Sequence, residues 1–162
     1  MSTIGKPNEL MSKATGLEGS SAHESVVIID DDPSIRESLE LLLGDRYQVA
    51  ACSSASEGIN AVNDEVCAIV LDVKMPGRDG FWACTEIRKK VPDVPVIFYS
   101  AYQNLKDPYA VINDHHPFGY VAKGGDVQQL LDVLAAAVEL QAAIVENRKL
   151  MRRLEGAQRR AH

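Results

Sequence analysis

Cys67-Ala68-Ile69-Val70-Leu71-Asp72-Val73-Lys74-Met75-Pro76-Gly77-Arg78-Asp79-Gly80 decides how the rest of the chain is read. Its apolar run, from Cys67 to Leu71, does not alternate with polar residues, which is the pattern of a parallel strand buried on both faces. The run ends on a single carboxylate, Asp72, and passes into a turn marked by Met75-Pro76-Gly77 and Asp79-Gly80. A carboxylate at the end of a buried strand costs free energy unless something pairs with it. The same letters taken alone also fit a strand closing on a turn-favouring Asp. The choice rests on the rest of the chain.

Working outward, strand-like and helix-like segments alternate. Upstream, Val26-Val27-Ile28-Ile29 is a predicted strand ending on Asp30-Asp31-Asp32. Pro33 then suits a first helical turn, and Ile35, Leu39, Leu42 and Leu43 make one apolar helix face. Tyr47 to Cys52 reads as the second strand, and Ser53 or Ser54 caps a helix that turns Ile59 and Val62 inward. Downstream, Phe81 to Val91 is a helix with Phe81, Cys84 and Ile87 available to a core. Val96-Ile97-Phe98-Tyr99-Ser100 is the fourth strand, a weaker helix runs from about Leu105 to Asn113, and Phe118 to Lys123 is the fifth strand. Asp126 opens the last helix, with Gln129 placed for a capping box.

Five such alternations predict an α/β fold: a doubly wound, flavodoxin-like parallel sheet in the order 2-1-3-4-5, with helices on both faces and an extended C-terminal helix. Sheets of this kind bind ligands beyond the carboxyl ends of their strands, where the strand order reverses. Asp30 and Asp31 end the first strand, Asp72 the third, Ser100 the fourth and Lys123 the fifth. Four coincidences of this kind are hard to obtain from turn chemistry alone.

The totals fit this picture. The chain has 162 residues and a net charge of −6, enough length for one domain with extensions, and a charge that argues against a nucleic-acid surface over the whole domain. No run of uniformly apolar residues approaches the ~20 needed to span a membrane, and Met1 to Ser25 lacks the apolar core of a secretory signal. A cytoplasmic protein is expected. Cys52, Cys67 and Cys84 have no metal or redox spacing and read as reduced thiols among apolar neighbours. Residues 1–25, polar and rich in Ser and Gly, are expected to be disordered. The domain is expected over 26–137, with a helical extension over 138–162.

Three carboxylates gathered in one crevice repel one another, and a divalent cation removes the conflict. An all-oxygen set suits Mg²⁺. Asp72, central in the sheet, is placed to carry a phosphoryl group as an acyl phosphate. Lys123 and Ser100 offer a cation and a hydroxyl donor to such a group.

The set Asp30-Asp31, Asp72 before Met75-Pro76-Gly77-Arg78-Asp79-Gly80, Ser100-Ala101 and Gly119-Tyr120-Val121-Ala122-Lys123 resembles the receiver domain of two-component response regulators, over about Ser25 to Ala137. The resemblance implies a phosphorylation-activated signalling switch rather than an enzyme with its own substrate. Asp72 would accept phosphate from a histidine kinase or phosphotransfer protein. Asp31, Asp72 and the backbone carbonyl of Lys74 would hold Mg²⁺, with Asp30 acting through a bound water. Lys123 and Ser100 would contact the phosphoryl group, and Tyr120 would swing inward as Ser100 moves. The fourth helix, fifth strand and fifth helix would then change as a face. Lys74 and Tyr102 would flank the phosphoryl group and lengthen its lifetime by obstructing water. Receivers usually carry Pro after the lysine, whereas Gly124-Gly125 stands here and predicts a more pliable loop. The main rival reading, a haloacid-dehalogenase-type phosphatase built on Asp30-Asp31-Asp32, leaves Ser100 and Lys123 poorly accounted for.

Other residues read more plainly. His115-His116 beside Asp114 fits a loop better than a metal site, Trp82 a packing residue, and Arg36 a solvated helix face. The last helix is longer than one domain's packing requires. Leu130, Leu131, Leu134 and Val138 suit the sheet, while Val133, Ala137, Leu140, Ile144, Asn147, Met151 and Leu154 keep a 4-3 spacing over about three heptads. That stripe predicts a homodimer or a partner-helix contact, a possible coiled coil in which Asn147 sets register. After Val145, six basic residues stand against only Glu146 and Glu155, but without aromatics or a helix-turn-helix pattern nucleic-acid binding is not expected. The remaining partner is a downstream protein or a fused output domain.

Overall fold

The computed structural model describes residues 23–101 and 108–161. Five parallel strands, β1 (Ser25–Ile29), β2 (Gln48–Cys52), β3 (Val66–Leu71), β4 (Val96–Ser100) and β5 (Gly119–Ala122), lie in the order β2-β1-β3-β4-β5. Between and after them run α1 (Pro33–Leu43), α2 (Ala55–Ala61), α3 (Gly80–Lys90), α4 (Pro108–His115) and α5 (Val127–Arg160). The predicted fold class and strand order are those observed.

Successive strand residues point to opposite faces, and each face has its own core. Val27, Ile29, Ile69, Leu71 and Phe98 meet α2 and α3 through Ala55, Ala83, Cys84 and Ile87. Val26, Ile28, Ala68, Val70 and Ile97 meet α1 and α5 through Leu39, Leu43, Leu130 and Leu134. This is why the strands read as unbroken apolar runs. Gly58 lets α2 lie against β1: a Cβ there would come within 2.2 Å of the Ile29 side chain.

Each helix start has a local cause. Asp32 accepts from the Ser34 amide ahead of Pro33, Ser54 from Glu57, Asp79 from Trp82 and Asp126 from Gln128. Each satisfies a donor the helix cannot pair itself. The cap of α5 therefore uses Gln128, one residue before the predicted partner Gln129.

Several boundaries differ from expectation. Strand β1 begins at Ser25, inside the segment expected to be disordered, while residues 1–22 lie outside the described residues. The fourth helix is described over Pro108–His115; its predicted start near Leu105 lies outside the described residues. Helix α5 reaches Arg160, running through Gly156. One 18-residue stretch of α5 has a mean hydropathy of 1.3, enough by length and composition alone to cross a bilayer. Of that stretch 28 % is buried, and Leu130, Leu134, Ala137 and Val138 of α5 lie in the domain core.

The predicted 4-3 stripe is shortened by the same packing. Ala137 is fully buried, and Val133 reaches so far over β5 that a Cβ on Gly119 would come within 2.8 Å of it. Those two positions belong to the domain. Leu140, Met151 and Leu154 remain exposed beyond it, and Arg148 forms an ion pair with Asp93 in the loop before β4.

Candidate functional site

The carboxyl ends of β1, β3, β4 and β5 bring the polar residues together. Asp30 and Asp72 each stand one position past a strand, and their amides extend the ladders, Asp30 to the Cys52 carbonyl (3.0 Å) and Asp72 to that of Ile29 (2.9 Å). Asp30 and Asp72 are buried, at 2 % and 5 % exposure, while Asp31 is open to solvent. Carboxylate oxygens of all three lie within 4.8 Å of one another, the only cluster of metal-ligating side chains among the described residues.

Lys123 bridges the two buried acids of this cluster. Its amide donates to the Ser100 carbonyl (3.0 Å) and so continues the β4–β5 ladder. Its ammonium contacts Asp30 Oδ2 at 2.6 Å and Asp72 Oδ2 at 3.2 Å. Burial alone would lower the Lys123 pKa, but the hydrogen bond and charge of Asp30, followed by Asp72, raise it above the ordinary value. Asp30 is also raised: desolvation is the main cause, and it outweighs the hydrogen bonds from Lys123 and the Asp32 amide, with the Asp72 charge adding to the rise. One ammonium thus partly compensates two buried carboxylates. Gly124, next in the chain, sits at φ 77° with no atom within 4 Å of where a Cβ would be. Backbone conformation, not space, calls for glycine there.

Asp72 is further positioned by the turn that follows. The Lys74 amide lies 3.4 Å from Asp72 Oδ1, and the Gly80 amide donates to the Val73 carbonyl at 2.8 Å. A Cβ on Gly80 would fall 2.1 Å from the Asp72 carbonyl oxygen, so α3 can start this close to Asp72 only with glycine. The Lys74 side chain is exposed. Tyr102 lies outside the described residues.

Ser100 is buried at the end of β4. Half-buried Tyr120 packs near Phe98, with ring centroids 6.4 Å apart, and is hydrogen-bonded to Ser100. Its phenol pKa is raised, chiefly by burial, with the Ser100 bond acting the other way and Asp72 adding to the rise. His115 stacks on Phe81 with centroids 4.7 Å apart and belongs to this aromatic packing. Trp82 is half-buried with the Arg78 guanidinium over its ring, 4.8 Å from the centroid.

Reasoning from sequence missed one residue here. Arg36, expected on a solvated face, is half-buried and donates from Nη1 to the Asp30 carbonyl at 2.8 Å. A cation six residues after an acid at a strand end is the signal that was available, and it is a weak one.

The donor set fits a hard divalent cation, since all its side-chain ligands are oxygens, one of them on an exposed carboxylate. Beside them stand one ammonium and one hydroxyl, the groups a phosphoryl dianion attracts.

Comparison with known proteins gives a consistent result. The profile of the response regulator receiver domain matches residues 26–135. The C4-dicarboxylate transport transcriptional regulatory protein DctD of Rhizobium meliloti is 30% identical over 139 residues, which is 85% of this chain and 30% of that protein. The chain therefore spans under a third of that relative's length. Among solved structures, response regulator StyR superposes with a TM-score of 0.73 at 25% identity, covering 82% of this chain and 67% of that one. Response regulator TrrA of Thermotoga maritima, solved with Mg²⁺ and beryllofluoride, gives 0.60 at 26% identity, covering 70% and 98%.

Proposed function

The chain belongs to the response regulator receiver family of two-component systems, and on that premise we propose that Asp72 is the residue phosphorylated. The observation that carries this is the convergence of Asp30, Asp31 and Asp72 with the Lys123 ammonium at one sheet end. Of the three acids, Asp72 lies at the middle strand of the five, flanked by the Asp pair on one side and by Ser100 and Lys123 on the other.

Asp31, Asp72 and the carbonyl of Lys74 would hold Mg²⁺, with Asp30 acting through a water. When bound, the ion neutralises charge on phosphoryl oxygens and aligns the donor with the acceptor. In the transfer itself, an Asp72 carboxylate oxygen forms a bond to phosphorus as the phosphorus–nitrogen bond of a kinase phosphohistidine breaks, leaving an acyl phosphate and a free imidazole. Lys123 exchanges part of its contact with Asp30 for the new dianion. Ser100 donates its hydroxyl to the same group, and Tyr120, already bonded to Ser100, follows it inward. The surface of α4, β5 and α5 then changes. Lys74 and Tyr102 limit access of water to the acyl phosphate.

The chain's output is contact with a protein partner or a fused domain, and the exposed positions Leu140, Met151 and Leu154 of α5 support a homodimer through that helix. The free cysteines Cys52, Cys67 and Cys84 fit a reducing, cytoplasmic setting.

The test is labelling by a small phosphodonor such as acetyl phosphate with Mg²⁺. Stoichiometric, acid-stable and base-labile uptake is expected in the parent chain and none in Asp72→Asn. Equal labelling of the two would overturn the assignment.

A further inference from the structure

We infer that Arg36 is a positioning residue that sets the metal-ligating acid Asp31 by gripping the peptide before it. This rests on the proposed site and extends it to a residue on α1.

Asp30 is held at every polar atom. Its amide bonds to the Cys52 carbonyl, Oδ1 accepts from the Asp32 amide at 2.9 Å, Oδ2 meets Lys123 at 2.6 Å, and its carbonyl accepts from Arg36 at 2.8 Å. That carbonyl lies past the end of β1, and a buried carbonyl left unpaired is costly. Arg36 is the group that satisfies it.

The consequence falls on Asp31. Its carboxylate is exposed and makes no hydrogen bond or ion pair among the described residues. The position of that carboxylate depends on its own backbone, and the Asp30 carbonyl is part of the peptide plane that leads into it. Fixing the carbonyl fixes the plane, and so the place from which Asp31 reaches toward Asp30 and Asp72.

Arg36 sits early in α1, where its amide bonds to the Asp32 carbonyl at 3.1 Å. Across the gap, Glu57 accepts from the Ser53 amide and hydroxyl, each at 2.8 Å. Those bonds lower the Glu57 pKa most, and the Arg36 charge lowers it further. The guanidinium itself links α1 to the end of β1.

As a plain charge, Arg36 opposes a cation in the site, and its removal would tighten Mg²⁺ binding. As a tether its removal weakens binding. The two roles differ in sign.

The experiment is calorimetric titration of the full chain with Mg²⁺, without phosphodonor, for the parent, Arg36→Met and Arg36→Lys, with thermal melts of each in the absence of metal. Lysine keeps the charge and loses the planar fork. Both variants are expected to bind Mg²⁺ about three- to tenfold more weakly, the range expected for losing one ordinary hydrogen bond, at a temperature where the melts show both folded. Unchanged or tighter binding in Arg36→Met, or a loss in Arg36→Met that Arg36→Lys fully restores, overturns the inference alone. A parent chain that binds no Mg²⁺ overturns the proposed site and this inference with it.

Discussion

At the scale of single residues, Lys123 occupies the position where the site's charges meet. Its ammonium lies 2.6 Å from Asp30 and 3.2 Å from Asp72, so it and a divalent cation compete for the same carboxylates. Lys123→Met is expected to tighten Mg²⁺ by about tenfold or more, from the Coulomb term at the effective dielectric of a partly wet site, while slowing phosphoryl uptake. Titration and labelling on the same preparation measure both. Cys52 gives a pH prediction. Its thiol is pushed from 9.0 up to about 11, by burial first and by Glu57 second, with Arg36 opposing. A raised pKa in the fold contributes stability that is whole below the unfolded value and lost as pH rises toward the folded one. Between pH 9 and 11 the fold is expected to lose about 2–3 kcal/mol from this group, which urea melts of the parent and Cys52→Ala would separate. Lys123, also raised, loses its contribution in the same direction at higher pH. The acids and the lysine were legible in the sequence because each follows an apolar run that marks a strand end. Arg36 was not, since its importance lies in a carbonyl, which has no letter of its own.

At the scale of elements, α3 is fitted to Asp72 through Gly80. A Cβ there would overlap the Asp72 carbonyl at 2.1 Å, a backbone atom that cannot turn aside. Gly80→Ala is expected to lower stability by about 2–4 kcal/mol, as overpacking against main chain does, and to abolish labelling of Asp72 even where the protein remains folded by circular dichroism. The strands and the starts of helices could be read because caps and apolar runs are local. The inner end of the α5 stripe could not. Val133 and Ala137 keep the 4-3 spacing of a helix pair, but periodicity does not say which surface an apolar residue covers, and the domain takes both. What remains for a second helix is the segment around Leu140, Ile144, Asn147, Met151 and Leu154. Met151→Glu with Leu154→Glu is expected to leave the melting temperature of the domain unchanged and to convert any dimer seen by light scattering to monomer.

For the whole molecule, the clustering of Asp30, Asp31 and Asp72 is expected to couple metal binding to the stability of the fold. A ligand that binds only the native state adds about 2.7 kcal/mol at a hundredfold excess over its dissociation constant, or about 5–10 °C in melting temperature for a domain of this size. Scanning calorimetry with and without Mg²⁺ is expected to show that rise in the parent and little of it in Asp31→Asn. Strand order was legible at this scale because alternation of strand and helix leaves few ways to build the sheet. The tie between Arg148 and Asp93 was not, because it joins side chains far apart in sequence. Only Gly124, Gly125 and Asp126 separate Lys123 from α5, which then runs unbroken for 34 residues. At 1.5 Å per residue that is a rod of about 50 Å. Its near end stands beside the lysine, and its first turns are packed in the core as far as Gln141, so about 30 Å of the rod extends past that packing. A tilt of about 5° of the packed part would carry Arg160 through about 2–3 Å by simple leverage, with the Arg148–Asp93 pair as the contact it would strain.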